Sequence, residues 1–218
     1  ILFRKKGDHL TKLKDIEEIK KLFKDGQTLM VGGFGLVGSP LTLINALVES
    51  SVKDLTIISN NLGEPGKGLG RLVLNKRVKK AIGSYFTSNK DVVHAYLNQE
   101  LDIELIPQGT LAEAIRAGGA GIGGFYITTS VGTELSKDRE KREIDGVTYV
   151  FQKPLKADVA LIKAKKADTY GNLIYEKSAR NFNPLMATAA KTVIAEVDEV
   201  VEVGQLSPEE IVTPHLYI

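Results

Sequence analysis

Cysteine is absent from all 218 residues, which excludes disulfides, a thiolate nucleophile and Cys-ligated zinc together. An uncrosslinked chain suits a reducing compartment. Long apolar runs are missing as well. The start, Ile1-Leu2-Phe3-Arg4-Lys5-Lys6-Gly7-Asp8, has no hydrophobic core of signal-peptide length, and nothing later approaches the roughly 18 consecutive apolar residues that a spanning helix needs. The expectation is a soluble, cytoplasmic protein that does not enter a membrane. Excess charge of either sign is lacking too: 29 Lys and Arg nearly cancel 27 Asp and Glu. The pairs Lys20-Lys21, Lys79-Lys80 and Lys165-Lys166 are scattered, so they read as solvated faces rather than a nucleic-acid patch. His9, His94 and His215 stand far apart without ligand partners at metal spacing, so no metal site is expected. Gly66-Lys67-Gly68 lacks the Ser or Thr of a P-loop, and no G-x-S-x-G nucleophile pattern occurs.

What is present is a 43% hydrophobic chain, enough to bury the core of one α/β domain, read as residues 11–218 behind a loose segment 1–10. Ile16, Ile19, Leu22 and Phe23 recur at helical spacing and the pattern stops at Asp25-Gly26. A short buried strand, Thr28–Val31, follows. After a glycine-rich stretch, Ser39 and Pro40 read as N-cap and first residue of a helix that turns Leu41, Ile44, Leu47 and Val48 inward. Residues 55–59 and 103–106 read as further strands, ending at Asn60-Asn61 and Pro107-Gln108-Gly109. Strand, loop and helix alternate, which predicts an open, mainly parallel α/β sheet with crossover helices and ligands at the carboxyl ends of its strands.

Residues 118–124, Gly-Gly-Ala-Gly-Ile-Gly-Gly, are too glycine-dense for a helix interior and read as a tight loop. Asp145-Gly146 between two β-prone runs predicts an added antiparallel hairpin. Residues 158–164, 173–175 and 192–196 supply more strands, and Ser207-Pro208-Glu209-Glu210 opens a last short helix.

Gly33-Phe34-Gly35-Leu36-Val37-Gly38 formally matches G-x-G-x-x-G between a strand and a helix start. Its usual partner, an acidic residue ending the second strand, is missing: that strand ends Ser59-Asn60-Asn61. A nicotinamide or flavin dinucleotide is therefore the weaker reading. The glycines still let a phosphate, a pantetheine arm or a second backbone come close, and the following helix would offer N–H groups to an anion.

Residues 25–40 (DGQTLMVGGFGLVGSP) closely resemble the first-subunit signature of the family I coenzyme A transferases. The resemblance continues through Ser59-Asn60-Asn61, through 107–113 (PQGTLAE) and 115–121 (IRAGGAG), and through 178–184 (SARNFNP), covering roughly Thr11 to the C-terminus. It implies a ping-pong transfer of coenzyme A, as substrate and covalent intermediate, between a short acyl or 3-oxoacyl thioester and a carboxylate. The nucleophile in that family is a glutamate in a Ser-Glu-Asn-Gly motif of a second subunit. This chain has no such motif.

The resemblance therefore implies an α subunit that supplies no nucleophile, works with a β subunit carrying the glutamate, assembles as α2β2 and holds no tightly bound cofactor. It assigns Asn60 to the oxyanion hole, with Asn61 orienting its loop, and Gln108 to the substrate carboxylate. Gly32, Gly33, Phe34, Gly35, Leu36, Val37 and Gly38 would contact coenzyme A. Glu64, Glu113, Glu134 and Glu176 read as surface or structural carboxylates, and residues 63–70 as a flexible loop at the site's mouth. The run 178–184 and the glycine loop 118–124 look closest to the acetate or butyrate:acetoacetate enzymes, whereas Asn60-Asn61 resembles the succinyl-using 3-oxoacid enzymes. The other reading of a chain without a nucleophile is a non-catalytic module that binds coenzyme A or a partner.

Overall fold

In the computed structural model, residues 12–218 are described; the loose segment expected at 1–10, with His9, lies outside the described residues. The first helix, α1 (Ile16–Lys20), starts under Asp15, whose carboxylate accepts from Glu18 N. It ends a turn earlier than the apolar pattern suggests. Leu22 and Phe23 sit in the turn that follows, their N–H groups donating to Ile19 and Lys20 carbonyls. The sequence then alternates as β1 (Thr28–Val31), α2 (Leu41–Glu49), β2 (Leu55–Ile58), α3 (Gly70–Leu74), β3 (Val78–Gly83), α4 (Lys90–Leu97), β4 (Asp102–Leu105) and α5 (Gln108–Ala120). A second stretch carries β5 (Phe125–Ile127), β6 (Lys141–Ile144) and β7 (Val147–Gln152). The chain closes with β8 (Ala157–Asp168), β9 (Leu173–Ile174), α6 (Asn183–Thr188) and β10 (Ala190–Val201), and residues Pro208–Glu210 form a single 3-10 turn.

The main sheet runs β10-β8-β1-β2-β3-β4 with every neighbouring pair parallel, and β9 adds antiparallel to β8. Its inner strands are apolar on both faces, as a parallel sheet covered on both sides requires. In β1, Leu29 and Val31 enter one core with α1, α2, α3 and α4, through Ile19, Leu43, Leu47, Leu72 and Val92. Met30 enters the other with α5 and α6, through Leu111, Ile115 and Met186. Successive residues of one strand thus serve two cores, the period-2 signature of a central strand.

Three local expectations change. The hairpin β6-β7 is present, but it pairs with β5 in a separate three-stranded sheet; every residue of β6 is exposed, so it could not sit inside the covered sheet. Leu41 does not turn inward: it is 41% exposed at the first turn of α2, whereas Leu43, Ile44 and Leu47 are buried. The glycines of 118–124 do not form one loop. Gly118 and Gly119 lie inside α5, where a Cβ would come 1.8 Å from Leu155 O and 2.1 Å from Thr188 Oγ1. They are close-packing positions against the segment leading into β8 and against α6. The helix stops at Gly121, left-handed at φ 74°, with Ile122 N donating to Ala117 O.

Candidate active site

The carboxyl ends of four successive strands meet in one cleft. Phe34 and Gly35 follow β1, Asn60 and Asn61 follow β2, Ser84 and Tyr85 follow β3, and Gln108 follows β4. With Gly63, Glu64 and Ser88 they line a cavity of about 530 Å³. A parallel sheet directs its loops this way because each strand re-enters from the same end, so loops after neighbouring strands share an edge.

Asn60 is held hard. It is 3% exposed. Its carbonyl accepts from Ser84 N and Tyr85 N, each at 3.0 Å, and its side-chain Oδ1 accepts from Ser84 Oγ at 2.6 Å. The chain can close this tightly because Gly83 stands there: a Cβ would lie 2.2 Å from Ser59 O. Asn60 Nδ2 makes no hydrogen bond to another residue among the described ones, and is the donor left for the cleft. Its neighbour Asn61 braces two loops. Asn61 Oδ1 accepts from Gly35 N at 3.0 Å and Nδ2 donates to Gly63 O at 3.3 Å. Gln108 is the first residue of α5, exposed, with no side-chain bond to another of the described residues. The segment 63–70, expected as a flexible loop, is a tight turn in which Glu64 and Lys67 exchange backbone bonds. Asn89 Nδ2 fastens it by donating to Leu62 O at 2.8 Å. Glu64 faces the cleft from this turn, while Glu113, Glu134 and Glu176 pair with Arg116, Lys137 and Lys165 elsewhere.

Of the seven residues 32–38 expected to contact coenzyme A, only Phe34 and Gly35 line the cleft. Phe34 and Val37 exchange backbone bonds of 3.0 and 3.2 Å around a Gly35-Leu36 turn. Both stand about half exposed, at 50% and 52%. Gly32 and Gly38 answer to packing instead: a Cβ would come 1.8 Å from Asn183 Oδ1 at the first and 2.3 Å from Ala179 O at the second, which also has φ +65°. Asn181 Oδ1 accepts from Gly33 N at 3.1 Å, and Asn183 Nδ2 donates to Gly38 O at 3.0 Å. The run 178–184, to which the sequence assigned no role, therefore latches the glycine loop.

The start of α2 corrects two further expectations. Its cap position is Pro40, not Ser39, and no side chain of the cap residue bonds the helix. Nor are the first N–H groups open to an anion. Glu196 Oε2, from β10, accepts from Thr42 N at 2.8 Å and Leu43 N at 3.2 Å, and Glu196 Oε1 accepts from Lys163 Nζ at 3.2 Å. Burial pulls the Lys163 ammonium down, but the carboxylates of Asp198 and Glu196 outweigh it and hold its pKa above the ordinary lysine value. A dinucleotide pyrophosphate that needed this helix start would find a carboxylate already there.

The sequence reading missed Ser84, Tyr85 and Ser88. All follow β3, whose two adjacent lysines, Lys79 and Lys80, interrupt the apolar run that would have marked it. The cleft as built has no histidine, lysine or arginine among its lining residues, and Glu64 is its one carboxylate. It offers neutral donors to a negatively charged group rather than a general base. Among the described residues no cluster of three or more His, Cys, Asp or Glu could hold a metal, and no helix is long and apolar enough to cross a membrane.

The family model described as coenzyme A transferase matches residues 14–218. Over 194 residues the chain is 53% identical to one of the two chains of the succinyl-CoA:3-ketoacid coenzyme A transferase of Xanthomonas campestris pv. campestris (strain B100), covering 89% of this chain and 80% of that one. It is 48% identical over 204 residues to the alpha chain of the acetate CoA-transferase of Escherichia coli (strain K12), covering 94% and 93%. In fold it resembles the crystal structure of an acyl-CoA transferase apoenzyme from Escherichia coli O157:H7, with TM-score 0.87 and 21% identity over all of this chain and 47% of that one.

Proposed function

This chain belongs to the coenzyme A transferase family, and from that premise we propose that it is the α subunit of a two-chain enzyme that exchanges coenzyme A between a short acyl or 3-oxoacyl thioester and a free carboxylate such as acetate, butyrate, acetoacetate or succinate. The observation that carries this reading is the cleft: amide donors at the ends of β2 and β4, with no nucleophile–base pair among the lining residues. Such a cleft is half of an acyl-transfer site. The other half, a glutamate and most of the nucleotide contacts, comes from a β subunit, and the two assemble as α2β2 in the cytoplasm, where a cysteine-free chain is at home. Residues 11–218 act as one domain, and the assembly needs no tightly held cofactor.

When a partner carboxylate attacks the thioester carbonyl, its C–O bond forms as charge builds on the carbonyl oxygen, and the C–S bond then breaks to release the thiolate. Asn60 Nδ2 donates to that developing oxyanion. A neutral amide suits the task because it stabilises charge without competing as an acid or base. Gln108 receives the carboxylate of the acceptor at the start of α5, where the helix dipole also favours an anion. Phe34 and Gly35 meet the pantetheine arm at the mouth. Val37 joins them from the outer side of the turn, and Gly32, Gly33, Leu36 and Gly38 set its shape. Higher identity to the succinyl-CoA:3-ketoacid enzyme and the Asn60-Asn61 pair favour a 3-oxoacid as one partner in the exchange.

The test is acyl exchange by the chain co-purified with its β subunit, run with succinyl-CoA plus acetoacetate and with acetoacetyl-CoA plus acetate. No exchange with any short acid sinks the enzyme reading and leaves a binding module. In the active complex, Asn60→Ala should lower kcat by about 10²-fold. An unchanged rate removes Asn60 from the site.

A further inference from the structure

We propose that Ser84 is a positioning residue for the transfer reaction: its hydroxyl fixes which end of the Asn60 carboxamide faces the cleft. The proposal rests on the reading of Asn60 as the oxyanion donor. An asparagine amide turns about a broad, roughly two-fold torsion, so packing alone distinguishes its oxygen from its nitrogen poorly. At Asn60 the two orientations have opposite chemical consequences. Nitrogen toward the cleft stabilises an oxyanion, whereas oxygen toward the cleft repels it.

Ser84 separates them by distance. Its Oγ lies 2.6 Å from one side-chain atom of Asn60, the length of an O–H···O bond and shorter than the usual N–H···O contact. That assigns Oδ1 to the serine side and Nδ2 to the open side. The serine is itself fixed, because Ser84 N and Tyr85 N both donate to the Asn60 carbonyl at 3.0 Å, and its Oγ stands farther, at 3.3 Å, from that carbonyl. Ser84 is partly exposed to the cleft, yet it is no nucleophile candidate. No histidine or lysine lines the cavity to take its proton, and that proton is already engaged by Asn60.

The experiment is a double-mutant cycle in the co-purified two-chain complex. Ser84→Ala should lower kcat about tenfold while leaving KM for acyl-CoA and acid within about twofold, since the interaction lost is one felt only in the transition state. Ser84→Thr keeps the hydroxyl and should restore most of the rate. In an Asn60→Ala background, Ser84→Ala should cost nothing further, because the group it positions is gone. Additive losses, a loss in KM alone, or equal losses in Ser84→Ala and Ser84→Thr would each overturn the proposal. A slow Asn60→Ala with a full-rate Ser84→Ala overturns the positioning role and leaves the oxyanion reading intact. A full-rate Asn60→Ala overturns the oxyanion reading itself, whatever Ser84 does. If Ser84→Ala does not co-purify with its partner, the Ser84→Thr rate decides: a hydroxyl-retaining variant as slow as Asn60→Ala overturns the proposal and a near-parental one upholds it.

Discussion

Helices α2 and α5 both leave a parallel strand at the carboxyl edge of one sheet, and both begin after a proline, Pro40 and Pro107, that offers no side-chain cap. Their surroundings then diverge. The first N–H groups of α2 are closed by Glu196, brought in from β10, whereas no side chain of the described residues caps α5, and its first residue, Gln108, lines the cleft. Two helix starts with the same local signal thus have opposite uses. A helix N-terminus can hold a ligand's anion only where the protein has not placed a carboxylate of its own there. The glycine-rich loop in front of α2 drew the dinucleotide reading, yet α5, with its plain Pro-Gln-Gly-Thr start, is the end left available.

The largest effect expected from this comparison is at Glu196. Glu196→Ala strips both acceptors from α2 and leaves Lys163 with Asp198 alone, which should cost about 2 kcal/mol in the denaturant midpoint. Glu196→Gln should cost less, because an amide oxygen still accepts. Sulfate should recover part of the loss in Glu196→Ala and do little for the parent chain, since an emptied helix start becomes an anion site. If sulfate stabilises the two equally, the cap is not what distinguishes α2 from α5. Next in size is Gln108→Ala, which should raise the acceptor acid's KM about tenfold with kcat nearly unchanged. An unaltered acceptor KM would remove the helix start of α5 from substrate binding.

Elements built from contiguous residues were legible in the sequence: β1 falls where its apolar run does, and the polar ends of β2 and β4 announce Asn60, Asn61 and Gln108. What could not be read was set by distant partners. Nothing around Leu41 shows that Glu196 will cap α2, and nothing at Gly118 and Gly119 shows that Leu155 and Thr188 will press against them. The motif 178–184 was visible as a resemblance, but its work, Asn181 and Asn183 holding Gly33 and Gly38, depends on a crossing of chain segments about 150 residues apart in sequence. Ser84 was invisible for a different reason. Its strand carries Lys79 and Lys80, so a polar-looking stretch concealed a core strand whose end reaches the site.

The smallest predicted effect tests whether the start of α5, rather than its general charge, is what the cleft senses. One turn into the helix, Glu113 accepts from Arg116 through Oε1 at 2.7 Å and Oε2 at 2.9 Å, an exposed i,i+3 pair. The Arg116 guanidinium, chiefly through those bonds, holds the Glu113 pKa below the ordinary carboxylate value. A folded pKa lower than the unfolded one means the pair's stabilisation is present above the ordinary carboxylate range and is lost as pH falls through it. Solvent and salt screen such a pair, so Glu113→Gln should move the melting temperature by about 1 °C at neutral pH and not at all in acid. Acceptor KM should be unaffected. If Glu113→Gln instead shifted KM as much as Gln108→Ala does, the substrate would be responding to the net charge of α5, and the contrast between an occupied and an open helix start would lose its explanatory force.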